Sequence, residues 1–335
     1  MLKVECMIIS RSPLRITLGG GGTDLPSYYQ KHGGFLITGA INKYVFVGAN
    51  KQFYDNISLK YSKIEIKEDI NCIDHNLFRE ALKCLGVQCG IEITSLADIP
   101  SGTGLGSSGA FLVALLNTLH HYRGGDVGKR QLAEEACKIE IDILKEHEGK
   151  QDPYASAFGG IRIFEIDKNG FVKVTPIVNE DIVKDELEAN LFLFFTGEKR
   201  KGTASTVIKN QTKTQTEEKM HKIKRIGLLT KNAFENNDFD SFGKFLDEHW
   251  KIKKQYSPNA TNNFIDTCYE KALEAGALGG KIMGAGGGGG FFMFYHSGSN
   301  TEKWEFVEKM KKTGLHEMNY NFDNDGVKIV SRNGV

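Results

Sequence analysis

The chain has 335 residues, enough for about two domains that each bury a core. With 40% hydrophobic and 25% charged residues and a net charge of +1, it has ordinary globular composition and no overall pull toward nucleic acid or an anionic membrane surface. Six cysteines stand without a CxxC pair, which argues against a zinc site and for reduced thiols. The opening MLKVECMIIS holds only a short, interrupted apolar run, and no run approaches a membrane span. No secretory segment is therefore expected, and cytoplasmic placement is.

Strand patterns come first: IISR, LRITL, YVFVGAN, NISLKY and CGIEITSL, separated by polar or glycine-bearing turns. Helical periodicity follows over 105–121 and 129–147, then the strands GIRIFEI and FVKVTPI. The polar window 177–188 marks a domain boundary, giving domains of residues 1–180 and 181–335. In the second domain LFLFF (191–195) reads as a buried strand, and residues 203–275 as helices interrupted at Pro258. GKIM and GFFMFY are strands around a glycine run, TEKWEFVEKMKK is a helix, and VKIV is the last strand. That order is β, helices, β, β, α, β, the split βαβ arrangement of a ferredoxin-like domain.

Two features point to chemistry. The first is PSGTGLGSSGAFLVALLNTLHHY, residues 100–122, where glycines and small hydroxyl residues run into a helix. Glycine lets backbone N–H groups face an anion, and the helix N-terminus behind it adds further donors and a favourable dipole. Gly104, Gly106 and Gly109 match GxGxxG, but no first βαβ unit surrounds them, and no Walker A sequence is present. A serine-capped glycine turn without a ligand is the plain alternative. The second feature is an acid out of place. At about 100° per residue, Leu132, Ala136, Ile139 and Ile143 share an apolar face, and Glu140 lies near its middle. Such a carboxylate needs a cation or strong donors, and a structural ion pair competes with a metal-ligand role.

The string Pro100-Ser101-Gly102-Thr103-Gly104-Leu105-Gly106-Ser107-Ser108 resembles the phosphate loop of the GHMP kinases, named for galactose, homoserine, mevalonate and phosphomevalonate. SRSPLRITLGGGGTDLPSYYQKHGG is similar to the family's first motif, and KIMGAGGGGGFFMFY to its third, a glycine turn packing near the loop and substrate. The resemblance spans most of the chain. It implies an α+β fold with a ribosomal protein S5 domain 2-like N-terminal domain, a ferredoxin-like C-terminal domain and the site between them. It implies ATP on residues 100–108, Mg2+ on Ser108 and Glu140, and a catalytic Asp152 twelve residues beyond Glu140. Arg15 would stabilise charge beside Asp152, and Gly22, Thr23, Asp24 and Gly286 would contact the substrate.

GGGGTDLPSYYQKHGG and GKQDPYASAFGG resemble the subgroup that phosphorylates D-glycero-D-manno-heptose 7-phosphate at C1, toward a GDP-activated heptose for surface polysaccharide. Pro153 stands where that subgroup often carries Gln. Arg200, in FTGEKRKGTAS, is the residue this resemblance offers to the substrate phosphate, against a solvated basic turn as the plain alternative. A kinase for fucose or another free sugar, a non-catalytic ligand sensor and a nicotinamide dehydrogenase are the rival functions. A sensor would be expected to lack a catalytic group, yet Arg15, Ser108, Glu140 and Asp152 are all present. His147 receives no role, and TKTQTEEKMHKIKR is either a flap or a solvated helix face.

Overall fold

The structure is a computed structural model that describes residues 7–198, 213–284, 286–287 and 289–332. β1 (Ile8–Gly19) joins the two predicted runs IISR and LRITL into one strand. Pro13 lacks an N–H for the ladder, and the register with the next strand shifts immediately after it. α1 (Pro26–His32) leads into β2 (Gly34–Lys51), an 18-residue strand that begins well before YVFVGAN. β3 (Ile57–Lys60), β4 (Ile64–Lys67), α2 (Asn76–Cys84) and β5 (Ile91–Ala97) follow. Next come α3 (Ser107–Tyr122) and α4 (Lys129–Cys137). The helix predicted over 129–147 loosens into a π-helical turn at Lys138–Ile143, where Leu144 N–H bonds the Ile139 carbonyl. α5 (Gln151–Phe158), β6 (Ile161–Ile166), β7 (Val172–Pro176) and α6 (Glu180–Asn190) complete the first half.

These seven strands, joined by one from the end of the chain, form an eight-stranded sheet in which β2 is the organiser. β1 covers one side of it, while β5 and β6 share the other side along its length. α3 is apolar on nearly every side, as a helix inside a core must be, and packs against β1, β2, α4 and α5. That packing sets the α3 N-terminus beside the middle of β1.

The C-terminal domain starts with β8 (Leu191–Phe195) and continues through α7 (Lys213–Glu235), α8 (Phe239–Tyr256) and α9 (Asn263–Glu274). β9 (Gly279–Ile282), β10 (Phe291–Tyr295), α10 (Asn300–Lys312) and β11 (His316–Glu317) follow. The antiparallel order β11-β8-β10-β9 is that of a ferredoxin-like sheet, and Trp250, Tyr269, Phe292, Phe294 and Phe306 fill its core.

One strand corrects the sequence expectation. The fourth strand of this sheet is the two-residue β11, not VKIV. The last three residues of VKIV open β12 (Lys328–Arg332), which returns to the first sheet and pairs antiparallel with β1. The returning chain is anchored on the way: Asp323 N–H bonds the Ala40 carbonyl, and Gly160 N–H bonds the Asp323 carbonyl. A strand's composition does not say which of two open edges it will complete. Among the described residues no helix is long and apolar enough to cross a membrane.

Candidate active site

The strand β1 and the glycine loop are joined by hydrogen bonds. Arg15 N–H donates to the Leu105 carbonyl at 3.0 Å, and the Arg15 guanidinium donates to the Gly104 carbonyl at 2.7 Å. Gly102, Gly104 and Gly106 all have φ between 79° and 90°, the left-handed region that a side chain would strain. The C-terminal glycine run closes on this loop. A Cβ on Gly104 would lie 2.6 Å from the Met283 carbonyl oxygen, and one on Gly284 would lie 2.8 Å from Gly104 Cα. The two glycine segments therefore meet backbone to backbone, which brings the two domains together at the phosphate loop.

Two cavities open at this junction. The smaller, about 280 Å³, is lined by Ser101, Gly102, Gly104, Gly106, Ser107 and Ser108 on the loop side and by Glu140 opposite. The larger, about 510 Å³, runs between the domains and takes in Gly22, Asp24, His147 and the first turns of α7. Arg15, Glu148, Gly149, Asp152 and Gly284 line both. Of the residues expected in the loop, Pro100, Thr103 and Leu105 shape it from behind: Thr103 Oγ1 donates to the Pro100 carbonyl, and Leu105 is core.

Ser107 Oγ is buried with no hydrogen-bond partner among the described residues. Its neighbour Ser108 donates to Glu140 Oε1 at 2.5 Å. Glu140 is 3% exposed and makes no ion pair among the described residues, so the competing structural pair is not what holds it. Burial pushes its carboxyl up to about 8, the Ser108 bond opposes this, and Asp152, Glu148 and Glu146 add to it. A hydroxyl and an under-compensated carboxylate are hard oxygen donors suited to magnesium, which takes few protein groups and completes its shell with phosphate and water. Among the described residues no three His, Cys, Asp or Glu side chains converge on one point.

Asp152 lies in the first turn of α5, its Oδ1 2.7 Å from both Nε and a terminal nitrogen of Arg15. Pro153 follows in the same turn, where the missing N–H has no helical partner to lose, so the pair with Arg15 stands. Close glycines seat Asp152: a Cβ on Gly109 would lie 2.7 Å from its Cβ and 2.9 Å from Pro153 N. Gly109→Ala is accordingly expected to cost about 1–3 kcal/mol by overpacking α3 against α5. Denaturant unfolding of variant and parent measures it, and an unchanged midpoint would show that the contact can relax.

Asp24 is 4% exposed and accepts N–H bonds from Gly22 at 3.1 Å and Gln151 at 2.9 Å. Burial raises its pKa, the Gln151 bond opposes this, and the nearby Asp152 charge adds to it. Thr23 does not line either cavity; its hydroxyl bonds the Gly20 and Phe35 carbonyls and ties the glycine turn to β2. Gly286 packs on Ala260, and Gly284 takes the place at the cavity wall. Arg200 lies outside the described residues. The stretch read as flap or solvated face forms the first half of α7, held by Glu217 to Lys31 and by His221 to Tyr28.

Sequence reasoning missed three basic residues on the larger cavity: His249 and Lys253 on α8, and Lys281 on β9, each 3–5% exposed. A signal was present. In α8, Phe242, Leu246, His249 and Lys253 follow one helical stripe, so a histidine and a lysine sit in line with core residues.

The two cavities meet at Asp152, so two small molecules could lie side by side there, the juxtaposition that phosphoryl transfer between them needs. Two family models identify the class: GHMP kinases N terminal domain matches residues 73–160 and GHMP kinases C terminal matches residues 230–312, together about half of the chain. The chain belongs to the GHMP kinase family, and that membership implies ATP as the phosphoryl donor. It is 28% identical to the D-glycero-alpha-D-manno-heptose 7-phosphate kinase of Campylobacter jejuni, over 96% of this chain and 98% of that protein. It is 26% identical to the galactokinase of Pyrococcus furiosus over 83% of this chain and 86% of that one. The solved structure of a D-glycero-D-manno-heptose 1-phosphate kinase from Bacteroides thetaiotaomicron superposes with a TM-score of 0.78 at 27% identity, over 97% and 99% of the two chains.

Proposed function

We propose that this protein is an ATP- and magnesium-dependent sugar kinase that phosphorylates the anomeric C1 hydroxyl of D-glycero-D-manno-heptose 7-phosphate. The product would be the 1,7-bisphosphate, used in the cytoplasm toward a GDP-activated heptose for surface polysaccharide. The observation that carries the reading is Asp152, fixed by Arg15 where the loop cavity and the inter-domain cavity meet. The likeness to heptose phosphate kinases over nearly the whole chain supports the substrate.

In this reading residues 100–108 take the ATP phosphates over the α3 N-terminus, where Ser107 Oγ has an unused hydrogen-bonding position. Ser108 and Glu140 hold magnesium, which when bound neutralises charge on the phosphates. Asp24, firmly placed by two backbone donors, accepts hydrogen bonds from sugar hydroxyls. Asp152 orients the C1 hydroxyl and receives its proton as the new O–P bond forms and the bond to the ADP oxygen breaks. Arg15 pairs with Asp152 and sits where negative charge would gather in the transfer. Arg200 is proposed as one contact to the substrate phosphate, on its sequence pattern.

A fucose kinase is the alternative within the family, since the chain is 25% identical to the L-fucokinase/L-fucose-1-P guanylyltransferase of Bacteroides fragilis, spanning 34% of that protein. ADP release from ATP with heptose 7-phosphate, fucose, galactose and mevalonate separates the cases. Preference for heptose 7-phosphate is expected. Preference for a free sugar would replace the substrate, and ATP binding without any turnover would favour a sensor.

A further inference from the structure

The inter-domain cavity has two chemically different walls. The N-terminal domain presents Asp24 and Asp152, groups suited to hydroxyls. The C-terminal domain presents His249, Lys253 and Lys281, all buried, with His249 and Lys253 one helical turn apart on α8 and Lys281 on the adjoining β9. Lys253 is aimed by its own bonds: Nζ donates to the Ile282 carbonyl at 3.1 Å and to the Gly284 carbonyl at 2.5 Å. Lys281 makes no ion pair among the described residues, and His249 Nδ1 is buried without a hydrogen-bond partner among them.

A buried amine such as Lys281 is costly to ionise without an anion beside it, and the neighbouring Lys253 charge raises that cost. Burial and the mutual repulsion of this group depress the ionisation of both Lys281 and His249, with Arg15 adding to the effect on Lys281. Such an arrangement is poor for stability and apt for a multiply charged anion. A phosphate monoester carries about −1.5 to −2 charges at neutral pH and accepts several charge-assisted hydrogen bonds.

We propose that His249, Lys253 and Lys281 form a built seat for the phosphate group of the acceptor, so that the C-terminal domain selects phosphorylated over free sugars. The proposal rests on the sugar-phosphate kinase reading and assigns its substrate specificity to these three side chains. The acceptor then spans the cavity, its reacting hydroxyl at Asp152 and its phosphate on the basic wall.

The test is isothermal titration of heptose 7-phosphate and of the same heptose without phosphate into the full chain, comparing wild type, Lys281→Met, His249→Asn and Lys281→Arg. ADP-release kinetics on the same proteins accompany it. Lys281→Met should weaken heptose 7-phosphate about tenfold or more, raise its KM and leave kcat, ATP affinity and free-heptose binding nearly unchanged. His249→Asn should act in the same direction, and Lys281→Arg should retain most of the affinity. Equal weakening of both sugars, or a fall in kcat at constant KM, would overturn the seat in favour of a role in the transfer step. Normal turnover of heptose 7-phosphate with Lys281→Met indistinguishable from wild type would leave the kinase reading standing and the seat overturned. Lys281-dependent binding without turnover would do the reverse. Melting temperatures at or above the parent's are expected for Lys281→Met, because a buried polar amine without an ion pair among the described residues is replaced by an apolar side chain.

Discussion

Asp152→Asn is expected to lower kcat about 10²–10⁴-fold while ATP affinity changes by no more than about threefold. The substitution keeps the volume that Gly106 and Gly109 accommodate, so the seat of the side chain is preserved. On the proposed mechanism it removes the carboxylate that would meet the C1 hydroxyl, together with its pairing with Arg15. Phosphoryl transfer depends mainly on alignment and charge neutralisation, so both losses act on the chemical step rather than on nucleotide binding. In that reading ATP would stay on the loop and the α3 N-terminus, whose cavity Asp152 only borders. Steady-state kinetics with calorimetric ATP binding measure the two effects separately. A loss in kcat below tenfold would show that the aspartate is a structural partner of Arg15 and little more.

Glu140→Gln should raise stability and destroy activity, and its pH dependence gives the sign. The folded carboxyl titrates at about 8 against an ordinary value of 4.5. Between those values the unfolded chain has released its proton while the folded chain still holds it, so rising pH favours unfolding. This contribution is absent below about pH 4.5, grows through neutral pH and levels off above about 8. At pH 7 it amounts to a penalty on the order of 3 kcal/mol. Glutamine does not titrate, so in EDTA the stability difference, variant minus wild type, should rise from pH 5 to pH 8, other groups cancelling between the two. Activity should fall at least about 100-fold, since losing even an outer-shell partner of a metal costs about 10–100-fold. A variant no more stable than wild type at pH 8 in EDTA would contradict the burial argument. Full magnesium-dependent activity would remove Glu140 from the metal site.

The parts of the site legible in sequence share a property: their signals are local. The glycine loop leads straight into an apolar helix, Arg15 lies on a strand that ends in glycines, and Glu140 breaks a periodic apolar face. The structure sets Arg15, Ser108, Glu140 and Asp152 around one cavity, and the roles the family resemblance implied for them remain those of the proposed function. What escaped was decided by tertiary partners. β12 joins β1 because that edge was open and the chain was anchored through Asp323, neither of which is written in VKIV. β11 has only two residues, too few for any alternation to register. The π turn at Lys138–Ile143 shifts the helix just where Glu140 must face Ser108, and periodicity assumes an unbroken α-helix. His249, Lys253 and Lys281 come from a helix and a strand about thirty residues apart in sequence, so the apolar stripe that marks the first two says nothing of their meeting with the third.

The most direct measurement of the central claim is phosphorus NMR of the products formed from ATP and heptose 7-phosphate. Transfer at Asp152 predicts a new anomeric phosphate ester appearing in step with ADP, alongside the unchanged phosphate at C7, and its loss in Asp152→Asn. Release of inorganic phosphate in place of that ester, or an ester on another hydroxyl, would contradict it.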